Sequence, residues 1–303
     1  MSSVIAVGVF DGLHLGHAAI LGRAVSAGRE RSVPCVVMSF DPHPDVVLAP
    51  SFQPLAPLTP LPEKRARMQE MGVHALEVLP FTRELAALDP ETFVERHLVA
   101  VHRPSLLVVG EDFALGHRRA GNVARLREIG SALGFEVSAV PLLLLDGAPV
   151  SSTRIRALLG EGRVSEAARL LGRRYTLGGT VVTGERIGRT LGFPTANLRL
   201  HVEKLVPAHG IYAAWVRVGN RGQRIAGALS IGVRPTFGGQ VRTIEVHLLD
   251  WSGELVGEEL EVEFVDWLRE EKAYENAAAL RSAIVEDVVE TRRRLETASL
   301  EGA

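Results

Sequence analysis

Val7-Gly8-Val9-Phe10-Asp11-Gly12-Leu13-His14-Leu15-Gly16-His17 is the stretch on which the reading of the fold turns. The apolar run 4–10 predicts a buried strand. A glycine-containing turn follows it, and Ile20, Leu21, Ala24 and Val25 then recur with helical spacing. A strand, a tight turn and a helix in that order aim backbone N–H groups at whatever lies above the turn. The dinucleotide fingerprint G-x-G-x-x-G is absent. In its place two histidines three residues apart, His14 and His17, share one face where the helix begins. Imidazoles at a helix N-terminus suit an anion, above all a triphosphate that gathers charge during transfer.

Outward from this stretch, short apolar runs alternate with helical patterns as far as Leu145. Runs at 4–10, 33–40, 75–79, 106–109 and 137–144 predict an α/β fold, a parallel sheet with helices on both faces. Asp89-Pro90-Glu91 reads as an N-cap, a first-turn proline and an acidic first turn, and Thr59-Pro60 starts another helix. Ligands of open sheets bind at the carboxyl ends of strands, so the loops after these runs matter most. Phe40-Asp41-Pro42-His43-Pro44 is either a rigid turn or an aromatic wall for a flat heterocycle. In the loop from Gly110 to Gly116, Asp112 either accepts a hydrogen bond from a substrate or caps the turn. Ser151-Ser152-Thr153-Arg154-Ile155-Arg156 opens a helix and reads as an N-cap or as a second anion clamp.

After the helical run 164–171 the pattern changes. Short strands broken by glycines, at 175–182, 211–218, 225–231, 243–249 and 260–265, predict an antiparallel barrel. A charged amphipathic helix over 277–295 follows, with Leu280, Ile284 and Val288 as its stripe. The domain boundary is placed at 171/172. The loop Gly184 to Asn197 lacks the G-K-[S/T] ending of a Walker A motif, but Gly184, Gly188 and Gly192 let backbone N–H groups approach a phosphate. Thr195 and Asn197 supply hard oxygens of the kind magnesium accepts. Alternation puts Glu245 and His247 on one strand face, with Glu245 either solvated or a general base.

Composition narrows the classes. With 303 residues, two domains are expected. The net charge of −2 supplies no basic field for nucleic acid, and Arg292-Arg293-Arg294 sits among glutamates as a solvated face. No run reaches the ~20 apolar residues of a membrane span. No cationic leader precedes the first apolar run, and the single cysteine, Cys35, lies in a strand pattern. The chain is expected to be cytoplasmic, away from membranes, and a monomer or weak homo-oligomer.

The motif G-x-F-D-G-x-H-x-G-H at 8–17 resembles the flavin branch of the nucleotidyltransferase superfamily. Followed in order by F-D-P-H-P, G-x-D-F-x-x-G and S-S-T-x-I-R, it resembles the FMN adenylyltransferase half of bacterial FAD synthetases. G-x-x-x-G-x-x-L-G-x-P-T-A-N, G-I-Y, I-G-x-R-P-T-F and I-E-V-H-L-L-D resemble the riboflavin kinase family. The resemblance implies a Rossmann-like adenylyltransferase domain over 1–171 and a six-stranded kinase barrel with a terminal helix over 172–303. In the first domain it implies that His14, His17, Ser152, Thr153 and Arg156 handle ATP phosphates, with Gly8, Phe10, Asp11 and Gly12 shaping the ATP site. Pro42, Pro44 and Asp112 would lie near flavin. In the second it implies Thr195 as the Mg²⁺ ligand, Gly184, Gly188 and Asn197 around the phosphates, Glu245 as base and Arg269 near flavin. Four departures from the family pattern, Leu115, Val256, Ala273 and Tyr274, are expected to act on flavin affinity. The implied reactions are phosphorylation of riboflavin to FMN, then adenylylation of FMN to FAD, with ATP as donor in both. Among competitors, another nucleotidyltransferase substrate is disfavoured by the P-T-A-N barrel, and a tRNA synthetase by the lack of a K-M-S-K-S-like segment. A flavin-binding regulator is disfavoured by the intact His14, His17, Thr195 and Glu245.

Overall fold

The protein's computed structural model describes residues 2–49, 56–184, 187–219, 223–236 and 239–300. Glu185 and Arg186 of the glycine loop, and Phe237 of the R-P-T-F motif, lie outside the described residues. Contacts divide the chain into two compact units, Met1–Ser152 and Thr153–Ala303.

In the first unit, five parallel strands form one sheet: β1 (Ser3–Val7), β2 (Cys35–Asp41), β3 (Ala75–Pro80), β4 (Pro104–Gly110) and β5 (Glu136–Val140), in the order β3-β2-β1-β4-β5. The reversal of order beside β1 makes a crevice at the carboxyl ends of β1 and β4. Successive β1 residues enter opposite cores, Val4 and Ala6 with Leu21 and Ala24 of α1 (Leu15–Glu30), Ile5 and Val7 with Phe93 and Leu126. Burial on both faces is why this strand reads as a continuous apolar run. Cys35 is fully buried, and desolvation pushes its thiol up to about 11.

Two expected strands are shorter than their apolar runs. The run 4–10 ends as a strand at Val7, because Phe10 turns into the left-handed region, and 137–144 ends at Val140, before Pro141. Leu144–Leu145 instead pairs with Ala148–Pro149 in a small hairpin. Asp89 caps its helix as expected, its carboxylate accepting from Thr92 N at 2.8 Å. Helix α2 (Leu61–Glu70) follows Thr59-Pro60, and α3 (Val123–Leu133) precedes β5.

The second unit begins with α4 (Ser152–Gly160, joined at its first residue to the first unit) and α5 (Val164–Leu171). The strand pattern does start after 171, but these helices pack with the barrel. Ala208 N donates to Leu159 O at 2.9 Å, and Gly162 lies against the Trp267 ring. The barrel is closed, with strands β6 (Thr176–Val182), β7 (Ala196–Leu200), β8 (Gly210–Val218), β9 (Ile225–Thr236), β10 (Gly239–Leu248) and β11 (Glu259–Arg269) in the order β6-β7-β10-β9-β8-β11. Every pairing is antiparallel. The apolar-run reading missed β7, whose five residues Ala-Asn-Leu-Arg-Leu carry too short an alternation to stand out beside the P-T-A-N loop. Helix α6 (Ala277–Leu300) closes the unit, with Leu295 packed on Ala213 and Val265.

Candidate active sites

The turn after β1 is strained and clasped from two sides. Phe10 (φ 53°), Gly12 (φ 86°) and Leu13 (φ 43°) all occupy the left-handed region, which costs an ordinary side chain roughly 1–2 kcal/mol. On one side of Phe10, the Val9 carbonyl accepts from Lys64 Nζ at 2.8 Å and Ser39 Oγ at 2.9 Å. On the other, the buried Asp11 carboxylate accepts from Leu58 N at 3.2 Å and Thr59 N at 3.0 Å. Hydrogen bonds to charged groups contribute roughly 1.5–3 kcal/mol each, enough to offset the strain. Desolvation lowers the Lys64 ammonium from the usual lysine range, and Asp11 and Asp41 oppose that shift. The Phe10 ring is fully buried and meets His17 edge-on, centroids 5.3 Å apart. A Cβ on Gly8 would come within 3.0 Å of that ring, so only glycine fits without a shift.

His14 is the N-cap of α1, its Nδ1 accepting from His17 N at 3.3 Å. In the neutral ring the proton is then on Nε2. The two imidazoles stack, centroids 3.6 Å apart and planes 16° from parallel, with His14 buried and His17 half-buried. The Ser152 hydroxyl donates to Asp11 O at 2.8 Å and ties the start of α4 to the turn. Thr153 and Arg156 lie on α4 beyond it, in the second unit.

A cavity of about 670 Å³ opens at the crevice, lined by Gly8, Val9, Phe40, Pro44, Asp112 and Leu115 among others. Three predicted residues, Gly8, Pro44 and Asp112, thus meet at one cavity; Pro42, His14 and His17 are not part of its lining. Its floor adds Phe81, Phe93 and Phe113, aromatic surface suited to a flat heterocycle. Phe81 and Phe93 were not read as site residues: Phe81 follows β3 with no motif around it, and Phe93 showed only as an apolar position of the helix that Asp89 starts. Leu115, buried, supplies part of the wall.

In the barrel, the β7–β10 register sets Asn197 opposite Glu245. The Thr195 hydroxyl donates to Glu245 Oε2 at 3.0 Å. Two residues along the same face, His247 Nδ1 donates to Pro194 O at 2.8 Å, and its ring meets Phe193 edge-on at 5.5 Å. The P-T-A-N segment is therefore fastened to β10 at two points; the alternation had placed His247 beside Glu245 without showing this anchoring role. A Cβ on Gly188 would sit 2.4 Å from Phe193 O, and one on Gly184 2.1 Å from the Asn197 amide nitrogen.

Thr195 lines two cavities at once. One, of about 470 Å³, includes Gly184, Arg189, Trp251 and Val256. The other, of about 270 Å³, includes Gly188, Glu245, His247, Arg269 and Tyr274. Val256 therefore lies on the glycine-loop side and not beside Glu245. Arg269 reaches the second cavity with its guanidinium committed to Asp287 of α6, through bonds of 2.8 and 2.6 Å, and with the Tyr274 ring centroid 5.9 Å away. Among the described residues no group of three or more His, Cys, Asp or Glu could hold a metal ion. The adjacent Thr195 hydroxyl and Glu245 carboxylate are hard oxygens that fit magnesium, an ion that keeps waters and takes phosphate oxygens from its substrate.

A family model described as FAD synthetase matches residues 1–154, and one described as riboflavin kinase matches 171–295. Curated proteins named bifunctional riboflavin kinase/FMN adenylyltransferase align along nearly the whole chain. The Listeria monocytogenes protein is 37% identical, covering 96% of this chain and 92% of that one. The chain belongs to the bifunctional riboflavin kinase/FMN adenylyltransferase family. The Escherichia coli K12 member is 36% identical over 95% of this chain and 91% of its own, and the Pseudomonas fluorescens member 38% over 95% and 92%. A solved structure described as a macrolide-efflux protein from Streptococcus pneumoniae superposes with a TM-score of 0.89 at 30% identity, covering 96% of this chain and 94% of that one. Among the described residues of this family member, no helix is long and apolar enough to cross a membrane.

Proposed function

We propose that the chain makes FAD in two steps: the barrel phosphorylates riboflavin with ATP, and the N-terminal domain, through residue 171, adenylylates the FMN. The observation that carries the reading is the Thr195–Glu245 contact at the meeting point of two cavities, in a chain whose order of family matches is adenylyltransferase, then kinase. The glycine-loop cavity takes ATP and the Glu245 cavity takes riboflavin, so the ribityl hydroxyl arrives beside Glu245. That carboxylate accepts the hydroxyl proton as the new O–P bond forms to the γ-phosphoryl group, the β–γ bridging bond breaks and ADP leaves. Thr195 would hold magnesium, with Asn197 supporting the metal–phosphate site; when bound, the ion neutralises phosphate charge. Arg269 and Tyr274 shape the flavin end.

In the second step the FMN phosphate is already an anionic nucleophile, so no strong base is needed. An FMN oxygen bonds to the α-phosphorus of ATP, the α–β bridging bond breaks, and pyrophosphate leaves. Alignment and charge stabilisation do the work, with His14 and His17 on the phosphates and the Pro44–Asp112 cavity on the isoalloxazine. Ser152 and Asp11 support this site through their hydrogen bonds. The enzyme is cytoplasmic, and a monomer or weak homo-oligomer, acting on small molecules and not on nucleic acid or membranes. Chromatography of a riboflavin–ATP–Mg²⁺ reaction over time tests the whole scheme: FMN is expected first and FAD after it. Absence of both products would overturn the assignment.

A further inference from the structure

Lys64 is a buried cation that the mechanism above does not use. It is 7% exposed, on α2, in a region with no motif of its own. Its ammonium reaches 55 residues back along the chain to the Val9 carbonyl at 2.8 Å, where the Ser39 hydroxyl also donates, at 2.9 Å. Val9 lines the 670 Å³ cavity, and the next residue, Phe10, has the left-handed backbone. The residue after that, Asp11, is held by backbone N–H groups of 58 and 59, in the segment that leads into the same helix. Helix α2 and its entry therefore grip the turn on both sides of its strained residue, and Lys64 is the grip nearest the cavity. A buried ammonium is costly unless it is bonded, and this one's bond goes to the carbonyl next to the strained residue. Such a bond holds the turn in one geometry.

We propose that Lys64 is a positioning residue for adenylyl transfer: by fixing the Val9 carbonyl it sets the path of residues 8–13, and with it the placement of His14 and His17 at the start of α1. This rests on the adenylyltransferase reading of the domain. Misalignment of a bound nucleotide by about 1 Å costs as much as 10²-fold in rate.

The test uses the full chain, so that the barrel's kinase activity reports on the same molecules. Lys64→Met, Lys64→Arg and Ser39→Ala are compared with wild type for FAD formation from supplied FMN and ATP, for FMN formation from riboflavin, and for melting midpoint. Lys64→Met is expected to lower kcat for FAD formation at least tenfold, leaving FMN formation within twofold. Lys64→Arg, which keeps the cation and its donors, restores most of that rate at a comparable melting midpoint, and Ser39→Ala costs a few-fold. Should Lys64→Met lack a cooperative melt, Lys64→Gln replaces it, with the same tenfold loss expected. The proposal is overturned if the uncharged variant stays within twofold of wild type. It is equally overturned if FAD-forming rates across the variants simply follow their melting midpoints, which marks a role in stability alone. Wild type failing to make FAD would instead sink the adenylyltransferase reading itself.

Discussion

The two halves build their sites by different routes. In the first unit the phosphate-side residues follow one another along the chain, strand, turn and helix start being continuous from Val7 to His17, with the two histidines three apart and stacked, while the cavity beside them gathers Pro44, Phe81, Phe93 and Asp112 from separate segments. In the barrel, Thr195 and Glu245 are 50 residues apart and meet only because β7 and β10 pair in a register that opposes Asn197 to Glu245. A local site tolerates changes in distant packing so long as its turn is held. A register-built site does not, because a one-residue slip turns every side chain to the other face.

The sharpest way to break the comparison is to silence one half and read the other. Glu245→Gln removes the proton acceptor, and the rate of FMN formation should fall about 10³-fold, within the range for general-base loss, with FAD formation from supplied FMN unchanged. His17→Ala is the mirror experiment: FAD formation should fall about 10²-fold, the cost of losing one charge-stabilising donor, and the kinase rate should hold. Equal losses of both activities in either variant would show that the halves are not independent.

A smaller effect sharpens the role of the terminal helix. Asp287→Ala leaves Arg269 without its two charge-assisted bonds beside the flavin-side cavity. The barrel's urea-unfolding free energy should drop by about 2 kcal/mol, with KM for riboflavin rising and FAD formation from FMN untouched. The smallest effect is at acid pH. Bonds from Arg293 and Arg294 push the half-buried Glu290 carboxyl from its ordinary 4.5 down to about 2. Its contribution to helix stability is therefore complete above pH 4.5 and lost as pH falls through about 2. In Glu290→Gln the acid loss of α6 helicity by circular dichroism between those values should be shallower than in wild type.

The parallel sheet was legible because strands buried on both faces leave unbroken apolar runs, and the helix start at Pro90 was legible because Asp89 caps it through its own side chain, whereas His14 proved to be a cap only in the structure. Strand ends were less so: Phe10 continues the apolar run, yet its backbone leaves the sheet, since the clasp on Val9 and Asp11 sets its dihedral and hydrophobicity does not. The missing sixth strand shows the same limit, since Asn197 looks like loop until its neighbour is known.

By itself the amino-acid sequence determined which chemistries are present: paired imidazoles before a helix, hydroxyl and amide oxygens after a glycine loop, and a carboxylate on an alternating strand. These are local properties of residue type and spacing. Only the tertiary structure decided which of them meet. It gave Thr195 to both barrel cavities, put Val256 in the glycine-loop cavity, and brought Phe81 and Phe93 to the cavity that Pro44 and Asp112 line. It also placed a lysine from a helix with no motif under the Val9 carbonyl. Contacts of that kind depend on strand order and register, which follow from packing over the whole domain and not from any window of the chain.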